Sequence, residues 1–502
     1  MAEADTLVIG AGHNGLVAAV YLARAGHKVT VLEAADAAGG QLAACLPGWH
    51  LPAPALHPGG WLRPEIVRDL KLHQHGLPAG ASLDARYTLL LPGGEHLSLS
   101  SRPGDAATLE AIRHLSSRDA DRWPEFLAFM DAATRLLAAA QLTPMPRPER
   151  HEVMAQALPL ASLLLKLRKL GRRDMFRVIR SLSMSARELM DEWFESEPLR
   201  AALGALAIHG VTLGPYSAGT GYTLIHHWLN RGGLAHAGPS GEAITGALVA
   251  ALKAAGGELR VAAPVERILV ERQQVKGVAL CDGTVIDARR VLSSADPRHT
   301  LLGLVGAHEL PTEFVWHTQS IRMRGSVAKV HLATDGSHGL PGGTLVVGPS
   351  LKYLEQAYDA AKYGEVSASP YLEVTTSGQV VSIHFQFAPY QLRSGDWETM
   401  RPVIEARAIE SLAPYAPKLQ ASIQSVHSIT PSDLAKHWSL TEGDLNHGQL
   451  ILDQLMFMRP MPGWSDSRTP VQGLYLCGSG GHGGGGISGV PGRNAARVAL
   501  KD

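Results

Sequence analysis

Two glycine-rich segments at opposite ends of the chain, Gly10-Ala11-Gly12-His13-Asn14-Gly15 and Gly478 to Gly492, constrain the fold more than any other feature of the sequence. The first follows the apolar run Thr6-Leu7-Val8-Ile9, which reads as a buried parallel strand, and leads into Leu16 to Ala25, whose composition favours helix. In that strand–turn–helix setting Gly10 permits the tight turn, Gly12 lets the backbone approach a pyrophosphate, and Gly15 lets helix and strand pack closely. Lys28-Val29-Thr30-Val31-Leu32 reads as a second strand ending on Glu33, where a carboxylate accepts hydrogen bonds from a ribose 2′-hydroxyl and repels a 2′-phosphate. This is a dinucleotide fingerprint that disfavours NADP. If both glycine-rich ends build one cradle, the nucleotide domain is discontinuous: residues 1–85, 230–305 and 440–502, with 86–229 and 306–439 forming an inserted substrate domain.

Gly39-Gly40 follows Glu33 at the spacing of a second glycine turn beside a ribityl chain. These residues, the tail Leu474 to His482, Ile487-Ser488-Gly489 and Gly492 to Ala496 resemble the phytoene desaturase-like flavoproteins. That group holds carotenoid desaturases, carotenoid ketolases and a branch named after pyridine nucleotide-disulfide oxidoreductases. Between the two ends, Val265 to Val270, Gly277 to Leu280, Asp282-Gly283 and Arg290 to Ala295 fit the same pattern. The resemblance implies an α/β protein: a Rossmann-type, glutathione reductase-like FAD-binding domain with an inserted α+β substrate domain. It implies FAD as cofactor, held by Gly10, Gly12, His13, Asn14, Gly15, Glu33, Ala34, Gly40, Gln41, Leu42, Val265, Gly478, Ser479, Gly486, Ile487 and Ser488, with the Val265 backbone at the adenine. Many hydrocarbon desaturases of the group carry an arginine after the paired glycines, where this chain has Gln41-Leu42, so contacts on the flavin side of the pyrophosphate are expected to differ.

Charge excludes one class of partner. With 46 basic and 46 acidic residues there is no basis for nucleic-acid binding. Hydrophobic residues make up 45% and charged residues 18%, which suits an apolar substrate or membrane contact and equally an ordinary large α/β enzyme. Cys45, Cys281 and Cys477 form neither a disulfide framework nor a CxxC pair, which argues against a flavin-linked disulfide reductase. The first strand begins almost at the N-terminus, so a cytoplasmic location is expected. No apolar run approaches the roughly 18–20 residues of a spanning helix. The concentrated basic stretch, Leu163 to Arg173 continuing to Arg177 and Arg180, reads as an interfacial anchor on the inner face of a membrane or as a solvated helix. It lies within Leu158 to Met190, which reads as one helix. Pro144 to Pro148 reads as a loop, Ser326 to Leu332 and Gln379 to Phe385 as strands, and Arg401 to Leu412 as helix.

No sharp catalytic constellation emerges, and the catalytic residues stay unassigned. His226-His227 are adjacent and point in different directions, so no metal site is expected. Gly486 to Gly489 lacks the spacing of a nucleophile elbow. Among 23 histidines, His209, His226, His227 and His482 could approach a flavin pocket as proton acceptors or serve the core. Tyr222 and Trp228 could pack on a polyene or in the interior, and His482 to Gly486 is expected to line the flavin. The leading expectation is an FAD-dependent carotenoid desaturase acting on an apolar isoprenoid by hydride and proton removal, as in a 3,4-desaturation or phytoene or lycopene desaturation. The alternatives are a carotenoid ketolase, an FAD oxidoreductase of another apolar molecule, and a flavin-binding protein without turnover. An amine oxidase is weakened by an aromatic content of only 6%. Oligomeric state and the acceptor that reoxidises the flavin stay open.

Overall fold

The computed structural model describes residues 4–43, 60–79, 85–143, 153–235 and 238–502. Cys45 and Pro144 to Pro148 lie outside them.

Residues 6–9 of the strand Ala4–Ile9, and all of Val29–Leu32, are buried on both faces, which is why they read as continuous apolar runs rather than alternating ones. They sit in a seven-stranded sheet whose parallel part runs Glu258–Arg260, Val29–Leu32, Ala4–Ile9, Val285–Ser293, Leu474–Leu476. Leu7 faces both Thr30 and Val291 in register. Val285–Ser293 is shared: its first half pairs antiparallel with the hairpin Val265–Glu271 and Gln274–Leu280, while its second half joins the parallel core. Because the chain leaves Ala4–Ile9 in one direction and returns on its other side, the carboxyl ends of these two central strands flank a topological switch point. In such sheets that is where a crevice opens.

A second seven-stranded sheet runs Ile423–Ile429, Val327–Thr334, Val380–Gln386, Tyr371–Ser377, Thr344–Val347, Tyr87–Leu90, His96–Leu99. Its neighbours are antiparallel except Thr344–Val347 against Tyr87–Leu90. Every strand of the first sheet falls within 1–85, 230–305 or 440–502, and every strand of the second within 86–229 or 306–439. The second sheet's two faces differ sharply. Val330, Leu332, Ile383, Phe385 and Leu372 pack under the helix Trp397–Leu412 through Ile404, Ala408 and Leu412. On the opposite face Lys329, His331, Glu373, His384 and Gln386 are also buried.

The stretch expected as one helix over Leu158 to Met190 is three: Val153–Lys169, Gly171–Ser183 and Ala186–Trp193. Gly171 takes a left-handed φ of +81° that breaks the first junction. At the second, Ser185 and Glu188 form a reciprocal capping box that starts a new helix. Among the described residues no helix is long and apolar enough to cross a membrane.

Candidate functional site: a dinucleotide cleft joined to a buried polar sheet face

The cleft, about 800 Å³, opens at the switch point. Its floor is the glycine turn. A Cβ on Gly10, whose φ is +88°, would lie 2.4 Å from Ser294 Oγ, and one on Gly15 would lie 2.1 Å from the Gly10 carbonyl oxygen, so these two glycines let turn, helix and strand touch. Gly12 differs: a Cβ there would meet no heavy atom within 4 Å. It precedes the helix His13–Arg24, whose N-terminus has no side-chain cap, leaving first-turn amides available to an anion in the cleft.

Glu33 closes the side. Its carboxylate accepts from Ala11 N at 2.6 Å and Ala35 N at 3.0 Å, pinning it to the turn while its remaining lone pairs suit a ribose hydroxyl. Ala34, Gly40 and Val265 line the same wall. Gln41, in the arginine's place, donates from Nε2 to Leu445 O at 2.9 Å and so ties the paired-glycine turn to the inner wall. At that inner end lie His13, Asn14, Asn446, His447, Ser479, Gly486 and Ile487. Burial lowers both His13 and His447 to about 4, with mutual repulsion adding to the effect on His13, so both imidazoles are neutral there. Asn14 Nδ2 donates to Ser479 Oγ at 3.2 Å, but Asn14 Oδ1 and His447 Nδ1 are buried without a partner. Unpaired polar atoms at such depth cost about 1–3 kcal/mol each. A cofactor with phosphates at Gly12, a ribose at Glu33 and a polar ring edge near Asn14 and His447 fits these residues.

Four of the expected contact residues stand behind the wall. Gly15 packs on Gly10, Leu42 is buried in the core of the first domain, Gly478 lies against the Ser294 carbonyl, and Ser488 donates from Oγ to Gly483 O at 3.4 Å. His482 is also off the cleft, with Nδ1 3.0 Å from Met456 O and Nε2 3.1 Å from Ala140 O, and it wedges the tail loop in place. His226 is a second clamp: its Nε2 donates to Gly485 O at 2.7 Å, and burial lowers it to about 4. Tyr222 and Trp228 are interior residues of the helix Thr220–Arg231.

His209 and His227 belong to the other half of the site, the polar sheet face, whose principal groups were not anticipated. Arg231 meets Glu373 with two hydrogen bonds, Nη1 to Oε2 at 2.9 Å and Nη2 to Oε1 at 3.0 Å, and His209 Nδ1 lies 3.4 Å from the same Oε2. His209 stacks on His384 at 4.2 Å between ring centres. Gln386 fixes what His384 can do. Its Nε2 donates to Ile208 O at 2.9 Å and Val211 O at 2.7 Å, so Oε1 is the end that accepts from Gly210 N and, at 2.7 Å, from His384 Nε2–H. His384 Nδ1 is then a bare acceptor, filled by Lys329 Nζ at 3.1 Å. Burial lowers Lys329 from 10.5 to about 8; Glu373 opposes that shift and Arg231 adds to it. Asn446, on the cleft wall, donates from Nδ2 to Gly210 O at 2.8 Å. The cleft and the buried amine are thus connected through Asn446, Gly210, Gln386 and His384.

Residues 8–47 match the NAD(P)-binding Rossmann-like domain, and residues 60–411 match flavin containing amine oxidoreductase. The chain belongs to that flavin-containing family. Within it the chain is 32% identical to "Pyridine nucleotide-disulfide oxidoreductase domain-containing protein 2" of Rattus norvegicus, over 100% of this chain and 94% of that one. It is 26% identical to the lycopene-forming phytoene desaturase of a Paracoccus species, covering 100% and 98%. It is 25% identical to a limonene dehydrogenase polypeptide of Castellaniella defragrans, covering 100% and 95%. The protein is an FAD-dependent oxidoreductase of the phytoene desaturase-like kind, and the residues lining the cleft fit FAD. No cluster of metal ligands occurs among the described residues.

Proposed function

We propose that this oxidoreductase desaturates an apolar isoprenoid, a carotenoid in the first instance, removing hydride from one carbon and a proton from its neighbour to leave a C=C bond. Bound FAD supplies the two-electron acceptor. The chain supplies position and a base. Gly12 and the helix amides would hold the phosphates and Glu33 the ribose, and the base assigned to the proton is Lys329 Nζ, which stands behind the cleft wall rather than on it. That amine is neutral in a useful fraction near neutral pH, gives one N–H to His384 Nδ1, and once protonated is stabilised by Glu373.

One observation carries this reading: an FAD cleft joined by hydrogen bonds to a single buried amine. The names of two relatives, a phytoene desaturase and a limonene dehydrogenase, supply the substrate class. Oxidation of a cationic amine would call for aromatic walls. Among the described residues Trp438 is the one tryptophan, tyrosine or phenylalanine ring on the cleft, while Trp123, Phe126, Phe129, Trp193, Phe194 and Trp228 pack against one another in the core.

The test is expression in bacterial strains accumulating phytoene, lycopene, γ-carotene or hydroxylated acyclic carotenoids, with limonene supplied to the purified FAD-loaded protein. Loss of two hydrogens and, for a polyene, a red-shifted spectrum is the expected result. Gain of oxygen would make the enzyme a ketolase instead. Unchanged pigments in every strain would remove the carotenoid assignment.

A further inference from the structure

The helices Val153–Lys169 and Gly171–Ser183 present Leu164, Leu165, Phe176 and Ile179 to solvent at 65%, 59%, 57% and 47% exposure. Large apolar side chains this exposed and this close in sequence are not scattered surface residues. Charge marks the same hairpin. Residues 153–183 carry Lys166, Arg168, Lys169, Arg172, Arg173, Arg177 and Arg180 against Asp174 alone, in a chain whose total charge balances. Arg173 and Arg177 reach Glu125, and Arg180 reaches Glu192. Lys166, Arg168, Lys169 and Arg172 pair with no carboxylate among the described residues.

We infer that this hairpin is a docking surface for an anionic phospholipid membrane. Leucine, phenylalanine and isoleucine enter the acyl boundary while long cationic stems keep their charges at the headgroups. A nucleic acid would use the cations and leave the apolar side chains in water; a lipid surface satisfies both. Placement ties the surface to the site. Gly219 N donates to Ser183 O at 3.1 Å and Gly221 N to Met184 O at 2.9 Å, so the second helix is anchored on Thr220–Arg231. That helix carries His226, which clamps Gly485 of the cofactor loop, and His227 and Arg231 of the polar face. An apolar substrate leaving a leaflet at the hairpin would arrive one helix away from both halves of the site. The docking itself does not depend on what the substrate is.

The experiment is vesicle flotation of the full-length FAD-loaded protein, with phosphatidylcholine vesicles and with phosphatidylcholine–phosphatidylglycerol vesicles. The wild type is expected to float with the anionic vesicles, weakly with the neutral ones, and less as salt rises. The variants are F176S/I179S and K166A/K169A, both at exposed positions, with retained flavin absorbance and melting temperature as the folding control. The charge variant is expected to lose roughly thirtyfold in partitioning to anionic vesicles and the apolar variant about tenfold or more. Equal flotation of wild type and both variants, or no flotation of the wild type, would overturn the inference. So would a dimer that F176S/I179S dissociates, or an acidic protein bound through the same residues, in the absence of vesicle binding.

Discussion

Replacing Lys329 by methionine tests the proposed base with little change of shape. With its amine at about 8 rather than 10.5, roughly one-tenth of the protein carries the neutral form at pH 7, against about 0.03% for an ordinary lysine, a gain on the order of 300-fold. The rate at which substrate bleaches the flavin under anaerobic conditions is therefore expected to climb about tenfold per pH unit below 8 and to level off above it. K329M is expected to lose about 10²- to 10⁴-fold in that rate and to lose the pH limb altogether. Stability provides a reading that needs no substrate. Because the folded-state value lies below the unfolded one, the unfolded chain binds the extra proton between about pH 8 and 10.5, and wild-type stability rises with pH across that window. The amplitude is about 3 kcal/mol, the free-energy equivalent of the shift. K329M abolishes that rise. At pH 7 it escapes the penalty of a buried ammonium but leaves His384 Nδ1 without its donor, a loss of about 1–3 kcal/mol, so its melting temperature is expected to stay near the wild type's. A K329M enzyme that keeps the pH limb in flavin reduction would refute the role assigned to this amine. A wild type whose stability is flat between pH 8 and 10.5 would refute the shift itself.

Further substitutions probe the two halves of the site separately. E373Q strands the buried Arg231 guanidinium and is expected to cost about 3–5 kcal/mol in thermal or denaturant unfolding, while R231M/E373L recovers most of it; a double variant no more stable than the single one would contradict the pairing. G12A should leave melting of the cofactor-free protein within about 0.5 kcal/mol yet weaken FAD binding by tenfold or more in flavin fluorescence titration, whereas G15A, with its Cβ 2.1 Å from the Gly10 carbonyl, should lower stability as well. Q386E removes the donor to Ile208 O and Val211 O and adds a negative charge two hydrogen bonds from Lys329, so the pH limb of flavin reduction is expected to move upward; an unmoved limb would separate Gln386 from the amine.

The cofactor half of this site could be read in the sequence because phosphate binding acts on the backbone. Gly10 needs a positive φ and Gly15 a carbonyl at contact distance, and these demands translate into fixed spacings within a few residues. The spacing separated Gly12, which faces the cleft, from Gly15, which packs helix on strand, but it did not separate the cleft residues from Leu42, Gly478 and Ser488, which shape the cleft from behind. The buried polar sheet face is different in kind. Lys329 and His331 alternate with Val330 and Leu332, and His384 and Gln386 with Ile383 and Phe385, the pattern of a strand with one wet face. The face is dry because residues far away in the chain cover it: Arg231 is 142 positions from Glu373, and Ile208 is 178 from Gln386. The same distance effect sorted the histidines. His226 and His482 sit beside loop carbonyls and clamp, while His209, at the end of the helix Glu197–Ile208, stacks on His384 of the buried polar sheet face.

That dry polar face is also the strongest sign that the second sheet is more than a support. Its opposite face is filled by Val330, Leu332, Ile383 and Phe385 with no polar partner to satisfy, so this backbone already accepts an apolar filling on one side. Replacing a buried ion pair by packed hydrophobic side chains is often neutral or stabilising by about 1–4 kcal/mol. The lysine, arginine, glutamate and histidines held at that depth are therefore not required for stability alone. The proposed reaction gives them a role in reactivity, since burial leaves about one-tenth of the Lys329 amine neutral at pH 7 and Glu373 favours the ammonium that forms.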